Sequence, residues 1–335
     1  MKTYIIRRIL FTILMLFGIT IMTFIISHIV PGDPVIAILG ERGTDEQIAF
    51  LRHKLGLDQP LWKQYIIYMV QLFHLDMGVS IRTNRPVAKD LAHYFPATFE
   101  LSTFAISLSI LLGIPAGIIS AIKKDKWIDH FTRIFSLLGV SIPVFWLGLI
   151  LLALFYAKLG ILPSSGRIDM FIDPPTHITG LYLIDSLLTG NWAAFISSLR
   201  HLILPAICLG YLSMARIVRM MRSSMLEVLS QDYIRTAKAT GLSWRKIIWK
   251  YALKNAFIPT LTVIGLSYGS LLSGAVLTET IFSWPGLGKY VVDSALFLDF
   301  SAIMGVTLII ALIYSIANMI VDILYSFFDP RVSLS

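Results

Sequence analysis

The residues that could do chemistry are few and poorly spaced for catalysis. Seven histidines are scattered along the chain. None pairs with another at i, i+4 around a glutamate, the spacing by which one helix face holds zinc. His28 and His201 border apolar runs, where interfacial or hydrogen-bonded histidines are expected rather than metal ligands. Gly286-Leu287-Gly288-Lys289 is not a phosphate loop. It lacks that motif's leading glycine, and Tyr290 stands where Ser or Thr would follow. No serine nucleophile turn is expected. Glu100, Glu279 and Asp322 fall near the ends of apolar runs, so no mid-membrane carboxylate is expected to couple transport to an ion gradient. Arg216, Arg219 and Arg222 recur every three residues. They either meet headgroups or a partner, or attract a substrate carboxylate at an inner mouth. The one cysteine, Cys208, lies in an apolar run, so there is no disulfide framework.

What must position these residues is a membrane scaffold. Of 335 residues, 56% are hydrophobic and 14% charged, against roughly a quarter charged in soluble domains. This excludes a soluble enzyme, a disordered chain and a disulfide scaffold. Apolar runs at 9–30, 99–122, 134–157, 201–221, 256–278 and 301–321 predict six spans, since about 20 residues cross the hydrocarbon. The first is read as a retained helix rather than a signal peptide, being 22 residues long and ending in Pro31-Gly32-Asp33-Pro34. With the N-terminus inside, inner segments carry 17 Lys and Arg and outer segments 11, of which seven lie in the long 31–97 loop. Such a long loop weighs little in orientation, so both termini are expected in the cytoplasm. Two units are expected: 1–98, the first span with a structured external loop, and 99–335, a five-helix core. The core would carry a cytoplasmic loop at about 223–256 and external loops at about 158–200 and 279–300.

Small residues mark the spans. Ser102, Ala105, Ser109, Gly113, Ala116 and Ser120 fall on one stripe of the second, and Gly265, Gly269 and Ser273 repeat the pattern in the fifth. The stripes either pack helices closely or wall a pathway. Outside, Thr44-Asp45-Glu46-Gln47 matches a capping box, and Pro60 precedes a second helix with Trp62, Ile66, Met69 and Phe73 on one face. Trp192 and Phe195 are expected as interfacial anchors. The outer face is thus either a passive cover or a docking platform. In Phe282-Ser283-Trp284-Pro285-Gly286-Leu287-Gly288 the proline breaks the helix and the glycines permit a bend. The segment is expected to dip back toward the membrane.

The most informative stretch is 223–256. Tyr233 to Thr240 reads as a helix stopped by Gly241, and a second helical pattern begins near Ser243. Two short helices joined by a Gly-Leu-Ser hinge either lie on anionic headgroups or form a knob for a cytoplasmic partner. In the second reading Ala237, Ala239 and Gly241 allow close approach.

The sequence resembles the membrane-spanning permeases of bacterial ABC importers, in the dipeptide/oligopeptide/nickel family. The match is to the type with a long first external loop and lies nearest the dipeptide permeases. The motifs run end to end: Pro31-Gly32-Asp33-Pro34, Leu55-Gly56-Leu57-Asp58, Pro96-Ala97-Thr98 with Glu100-Leu101, Gly113-Ile114-Pro115, Ser141-Ile142-Pro143, His201 to Pro205, Ser223 to Leu229, Asp232 to Ala239, Phe282 to Gly288 and Asp329-Pro330-Arg331. The resemblance implies an all-α fold of six transmembrane helices, the type I importer permease fold, in the bacterial inner membrane. It implies a second similar permease, two cytoplasmic ATPase subunits, an external substrate-binding protein, peptide cargo and surrounding lipid, with no nucleic acid. It places Tyr233, Arg235, Thr236, Ala237, Ala239 and Gly241 in the loop that couples to the ATPase. Arg235-Thr236-Ala237 departs from the Glu-Ala-Ala of the wider importer consensus, as is usual in the peptide branch. No cofactor is expected on this chain, since ATP and magnesium would act on the partner subunits. Nickel, haem or glutathione as cargo, and an ion-driven secondary transporter, are the alternatives.

Overall fold

The computed structural model describes residues 2–29, 35, 39, 44–54 and 56–328. Pro31 to Pro34, Leu55, Asp329 to Arg331 and the side chain of Asp322 lie outside the described residues. Among the described residues the secondary structure is helical, apart from one isolated bridge between Val79 and Pro86.

Helix α1 covers Lys2–Ile29. In the segment that follows, α2 spans Asp45–Lys54 and α3 Leu61–Phe73. The capping box forms: Thr44 N–H donates to Gln47 Oε1 at 3.2 Å, and Gln47 N–H to Thr44 Oγ1 at 3.3 Å. Helix α4 is a 36-residue rod, Val87–Ile122. Next come α5, Trp127–Ser141, and α6, Val144–Lys158, bent 110° from one another. The run 134–157 was expected as one helix. Pro143 breaks it, because its ring disfavours helical geometry at Ile142, which is extended at φ −81° and ψ 124°. Helix α7 is Tyr182–Leu188 and α8 is Trp192–Leu229.

The elbow at 223–256 also departs from expectation. Helix α9 is short, Asp232–Ala239. The second helix is not: α10 runs unbroken over Trp244–Gly274, passing through a π-wound stretch at Ile247–Ala252. The basic amphipathic piece and the fifth apolar run are therefore one rod. Helices α11, Val276–Ile281, and α12, Leu287–Leu296, flank the turn at 282–286, and α13 is Phe300–Phe328. Among the described residues five helices are long and apolar enough to cross a membrane, and the bent α5–α6 pair makes up to six.

The rods α4 and α8 pack along much of their length, with α10 alongside both. Small residues make this approach feasible where lipid gives helices no hydrophobic drive to associate. A Cβ at Gly210 would stand 2.8 Å from the Ala105 carbonyl oxygen, and one at Gly117 2.8 Å from the Met221 Cβ. An outer core gathers Leu101, Leu202, Leu271 and Trp284. An inner core gathers residues of α4, α8, α9 and α10.

Candidate functional site

Two regions concentrate the sequence motifs, one at each end of the bundle. The first is the elbow. Tyr233, Arg235, Thr236 and Ala239 are exposed on α9, while Ile234 and Ala237 are buried. Ala237, expected with Ala239 and Gly241 to allow close approach, is on the buried side. It sits in the inner core with Ile118, Met221, Ile247 and Ala256, where a small side chain lets α9 lie close to its own scaffold. The end of α9 is closed by Gly241 N–H donating to the Lys238 carbonyl at 3.0 Å and Leu242 N–H to that of Ala237 at 3.3 Å. Gly241 has φ +77°, the left-handed conformation that this paired cap requires. No heavy atom lies within 4 Å of where its Cβ would be. Polar contacts tie α9 to α10 as well. Asn255 Nδ2 donates to the Tyr233 hydroxyl at 2.8 Å, and the Lys238 ammonium lies 4.5 Å from the Trp244 ring centre. Elbow and rod are positioned to move as one piece.

The three arginines of α8 divide. Arg216 and Arg219 are exposed. Arg222 grips Asp129 of α5 with two bonds, Nε to Oδ1 at 2.6 Å and Nη2 to Oδ2 at 2.7 Å. The Ser120 hydroxyl and the Asp125 N–H also donate to Asp129. Arg222 therefore takes neither of the roles expected for the trio and serves as an internal strut.

The second region is the Phe282–Gly288 turn. After α11, Ser283 N–H donates to the Thr280 carbonyl at 3.2 Å and Trp284 N–H to that of Glu279 at 2.8 Å. Ser283 takes the left-handed conformation at φ +47°, so this is the same cap as at Gly241. The Glu279 side chain is fully buried beside the start of α12. It accepts from the Thr98 hydroxyl at 2.6 Å and from the Lys289 N–H at 3.0 Å, while Leu287 N–H donates to Thr98 Oγ1 at 2.8 Å. Two otherwise unpaired N–H groups of the helix start are thereby satisfied, while burial pushes the Glu279 carboxyl up to about 7. A Cβ at Gly286 would stand 2.5 Å from the Glu279 carboxyl carbon, and one at Gly288 2.6 Å from the Val276 Cα. Both glycines are close-approach positions. The Trp284 indole donates to the Ala97 carbonyl at 2.9 Å. Phe282 is buried with Leu151, Leu204 and Cys208. Pro96-Ala97-Thr98 and Phe282 to Gly288, distant in sequence, are one structure. Most of its residues are buried, with Pro285 half-buried and Ser283 exposed.

The 158–200 segment is fastened by buried charge. Arg167 pairs with Glu100, donates to the Gly180 carbonyl at 3.0 Å and stacks 3.7 Å from the Tyr182 ring centre. Leu183 N–H donates to Glu100 Oε1 at 2.8 Å. Burial pushes the Asp185 carboxyl up, but the Thr179 hydroxyl and the backbone N–H groups of Thr179, Ile178 and Gly180 outweigh it and hold it below the usual carboxylate range. Sequence reasoning noted Glu100 and Glu279 but gave them no partners. The available signal was a carboxylate inside an apolar stretch, which must be paired or hydrogen-bonded if buried.

The small stripe faces inward. Ser102, Ser109 and Gly113 are buried, and the Ser109 hydroxyl donates to the Gly210 carbonyl of α8 at 2.9 Å. A Cβ at Gly113 would stand 3.0 Å from Ile217, and one at Gly269 3.3 Å from Tyr314. Gly265 is buried, and the Ser273 hydroxyl bonds back to its own helix. Of the two expectations for these stripes, this placement fits helix packing. One string runs against the reading of no nucleophile turn. Gly265-Leu266-Ser267-Tyr268-Gly269 spells Gly-x-Ser-x-Gly. It lies inside α10 with Ser267 buried, so there is no strand-to-helix turn to expose the hydroxyl. His28 Nδ1 and His201 Nδ1 each lie 2.8 Å from a carbonyl of their own helix. Among the described residues no cluster of His, Cys, Asp and Glu could hold a metal ion.

Residues 113–334 match the family described as the inner membrane component of binding-protein-dependent transport systems, and residues 1–102 match its N-terminal part. A probable D,D-dipeptide transport system permease of Escherichia coli K12 is 51% identical over 96% of this chain and 94% of its own length. A dipeptide transport system permease of Alkalihalophilus pseudofirmus is 47% identical over 99% of both chains. A glutathione transport system permease of Escherichia coli O6:H1 is 34% identical over 99% of both. Among solved structures, a chain of the MetNI methionine ABC transporter aligns with 69% of this chain and 94% of its own, at 14% identity and a TM-score of 0.47.

Proposed function

Because this chain belongs to the family of inner membrane components of binding-protein-dependent transport systems, we propose that it forms one half of the pathway by which an ATP-driven importer carries dipeptides or short peptides across the bacterial inner membrane. The chain is a transport subunit and not an enzyme. Its relatives named for dipeptides stand at 43–51% identity and the one named for glutathione at 34%, which favours dipeptides over the other cargoes. A second similar permease completes the pathway, an external binding protein delivers cargo, and two ATPase subunits act from inside. In our reading the α5–α6 pair is one of six spans, both termini are cytoplasmic and the arrangement is that of type I importers. The excess of Lys and Arg on the inner segments supports this orientation.

The observation that carries the coupling role is the two-sided build of α9. Its outer face is exposed, and its inner face is buried against α8 and α10. A partner that grips the outer face and closes on ATP moves both rods as a rigid body. Cysteine at Thr236 or Ala239, both exposed, tests this cleanly, because native Cys208 is buried. In the assembled transporter either variant should cross-link to an ATPase subunit, and the cross-link should block ATP-driven uptake of labelled dipeptide. Absence of any such cross-link, or uptake indifferent to it, overturns the coupling role. Competition by nickel, haem and glutathione in the same uptake assay checks the cargo.

A further inference from the structure

Helix α3 has an apolar face that none of the described residues covers. None of its residues is buried, and Leu61, Trp62, Ile66, Ile67, Val70 and Phe73 are 41–81% exposed. The opposite face is held by α1. Tyr65 and Thr20 hydroxyls are hydrogen-bonded at 3.0 Å. The Tyr65 ring lies 5.2 Å from that of Phe24 and 6.4 Å from that of Phe17, and Tyr68 stacks on Phe24 at 6.2 Å. His28 Nε2 lies 3.0 Å from Gln64 Oε1.

These contacts fix a depth. The apolar stretch of α1 runs from Ile6 to Ile29. At about 1.5 Å per residue, Phe24 lies roughly 7 Å and Thr20 roughly 13 Å below Ile29. The tyrosines therefore meet α1 within its apolar stretch and not beyond its end. α1 is itself largely uncovered, with 11% of its apolar window buried. Met22, Ile25 and Ile26 are exposed beside the docking site, so the bare face of α3 continues the bare surface of α1. The one charge of the helix lies at its start: Lys63 donates to Gln59 Oε1 at 2.9 Å and Gln64 Nε2 to the Gln59 carbonyl at 2.7 Å, while residues 64–73 carry no charge. Thirteen residues make a helix of about 20 Å, too short to cross about 30 Å of hydrocarbon.

We propose that α3 is not part of a water-exposed lid but lies in the outer leaflet, with its Ile66–Phe73 face against lipid acyl chains and its Lys63 end at the headgroups. The helix then widens the apolar girth of the subunit beside α1 and anchors the first external segment at a set height. This rests on the outward placement of that segment proposed above.

The test places a nitroxide on cysteine at Ile66, Val70 or Lys63, one at a time, in the assembled transporter reconstituted into phosphatidylethanolamine–phosphatidylglycerol vesicles. Collision with oxygen, which concentrates in acyl chains, is compared with collision with a water-soluble nickel chelate. The expected result is a several-fold higher oxygen-to-nickel ratio at Ile66 and Val70 than at Lys63. Free access of nickel at Ile66 and Val70 means an aqueous lid and overturns the proposal. Exclusion of both reagents there means a protein neighbour, such as the second permease, and overturns it equally. Retained dipeptide uptake certifies each labelled sample, and the two apolar positions guard against one that misfolds. Sidedness is read separately by labelling cysteine at Met170, fully exposed on the 158–200 segment, with a membrane-impermeant reagent on whole spheroplasts. Failure there removes the orientation and not the burial of α3 in lipid.

Discussion

The elbow and the Phe282–Gly288 turn end a helix with the same pair of hydrogen bonds, yet they use glycine for opposite reasons. At the elbow, Gly241 supplies a left-handed φ and no described atom surrounds it. At the second turn the left-handed residue is Ser283, and the glycines sit at 286 and 288, where the Glu279 carboxyl and the Val276 backbone leave no room for a Cβ. The elbow is attached to the bundle through apolar contacts on one side and is open on the other. The region around the second turn is clamped by buried polar groups: Glu279 with Thr98, Arg167 with Glu100, and Asp299 with Ser80. Apolar contacts tolerate small shifts in register, while buried charge penalises any motion that unpairs it. The elbow end is thus attached by contacts that can shift, and the other end by contacts that hold its shape.

If that contrast is right, substitutions around the second turn should be read as lost stability and substitutions at the elbow as lost coupling. The largest effect is expected from Arg167→Met. It leaves Glu100 buried without its cation, which costs about 3–5 kcal/mol. Thermal unfolding of the purified transporter should fall sharply, and adding Glu100→Gln should recover part of the loss. An unchanged melting temperature for the single variant breaks the comparison at the second turn.

Gly286→Ala is expected next. The Glu279 carboxyl cannot retreat, because Thr98 and Lys289 hold both its oxygens, so the added methyl should cost about 1–3 kcal/mol. Combining it with Glu279→Ala should be less damaging than the sum of the two, since each change relieves the other's clash or vacancy. Strict additivity would mean that the glycine and the glutamate are not packed on one another.

A smaller effect concerns pH. The folded state holds Asp185 below its ordinary pKa of 3.8. Its contribution is therefore fully present above 3.8 and is lost as pH falls through the lower folded value. Asp185→Asn should flatten the acid limb of the stability profile and lower the plateau by about 1.5 kcal/mol, the scale of a hydrogen bond to a charged group. An acid limb unchanged in the Asn variant assigns the titration elsewhere.

What the sequence made legible was local. The capping box at Thr44, the helix after Pro60 and the stop at Gly241 each depend on a few neighbouring residues and formed as expected. Hydropathy failed where direction or helicity mattered. It could not see the 110° bend at Pro143 inside a continuous apolar run. It also began the fifth span too late in the chain, because Arg245, Lys246 and Lys250 lower hydropathy without breaking a helix. Long-range pairing was invisible for a different reason. Only Asp129, 93 residues away, separates Arg222 from Arg216 and Arg219, and only Thr98, 181 residues away, explains Glu279. A small residue such as Ala237 serves close approach in either direction, and only its packing with Ile118, Met221 and Ile247 shows which side of α9 it lies on.

The smallest expected effects sharpen the comparison most, because they act on the two caps alone. Ser283 holds a left-handed φ that costs a residue with a Cβ about 1–2 kcal/mol, whereas glycine loses about 0.5–1 kcal/mol through its freer unfolded chain. Ser283→Gly should therefore raise stability by about 0.5 kcal/mol and leave uptake unchanged. Gly241→Ala reverses that balance and should lower stability by about the same amount. Its added methyl meets nothing in this chain, so a larger loss can come only from the neighbour that occupies that space. Uptake per ATP hydrolysed should fall well beyond what the small loss of stability explains. Two variants of matched and opposite stability, only one of which uncouples, would fix the glycine at the elbow as a contact surface. Equal behaviour of both in the uptake assay would reduce it to a helix stop.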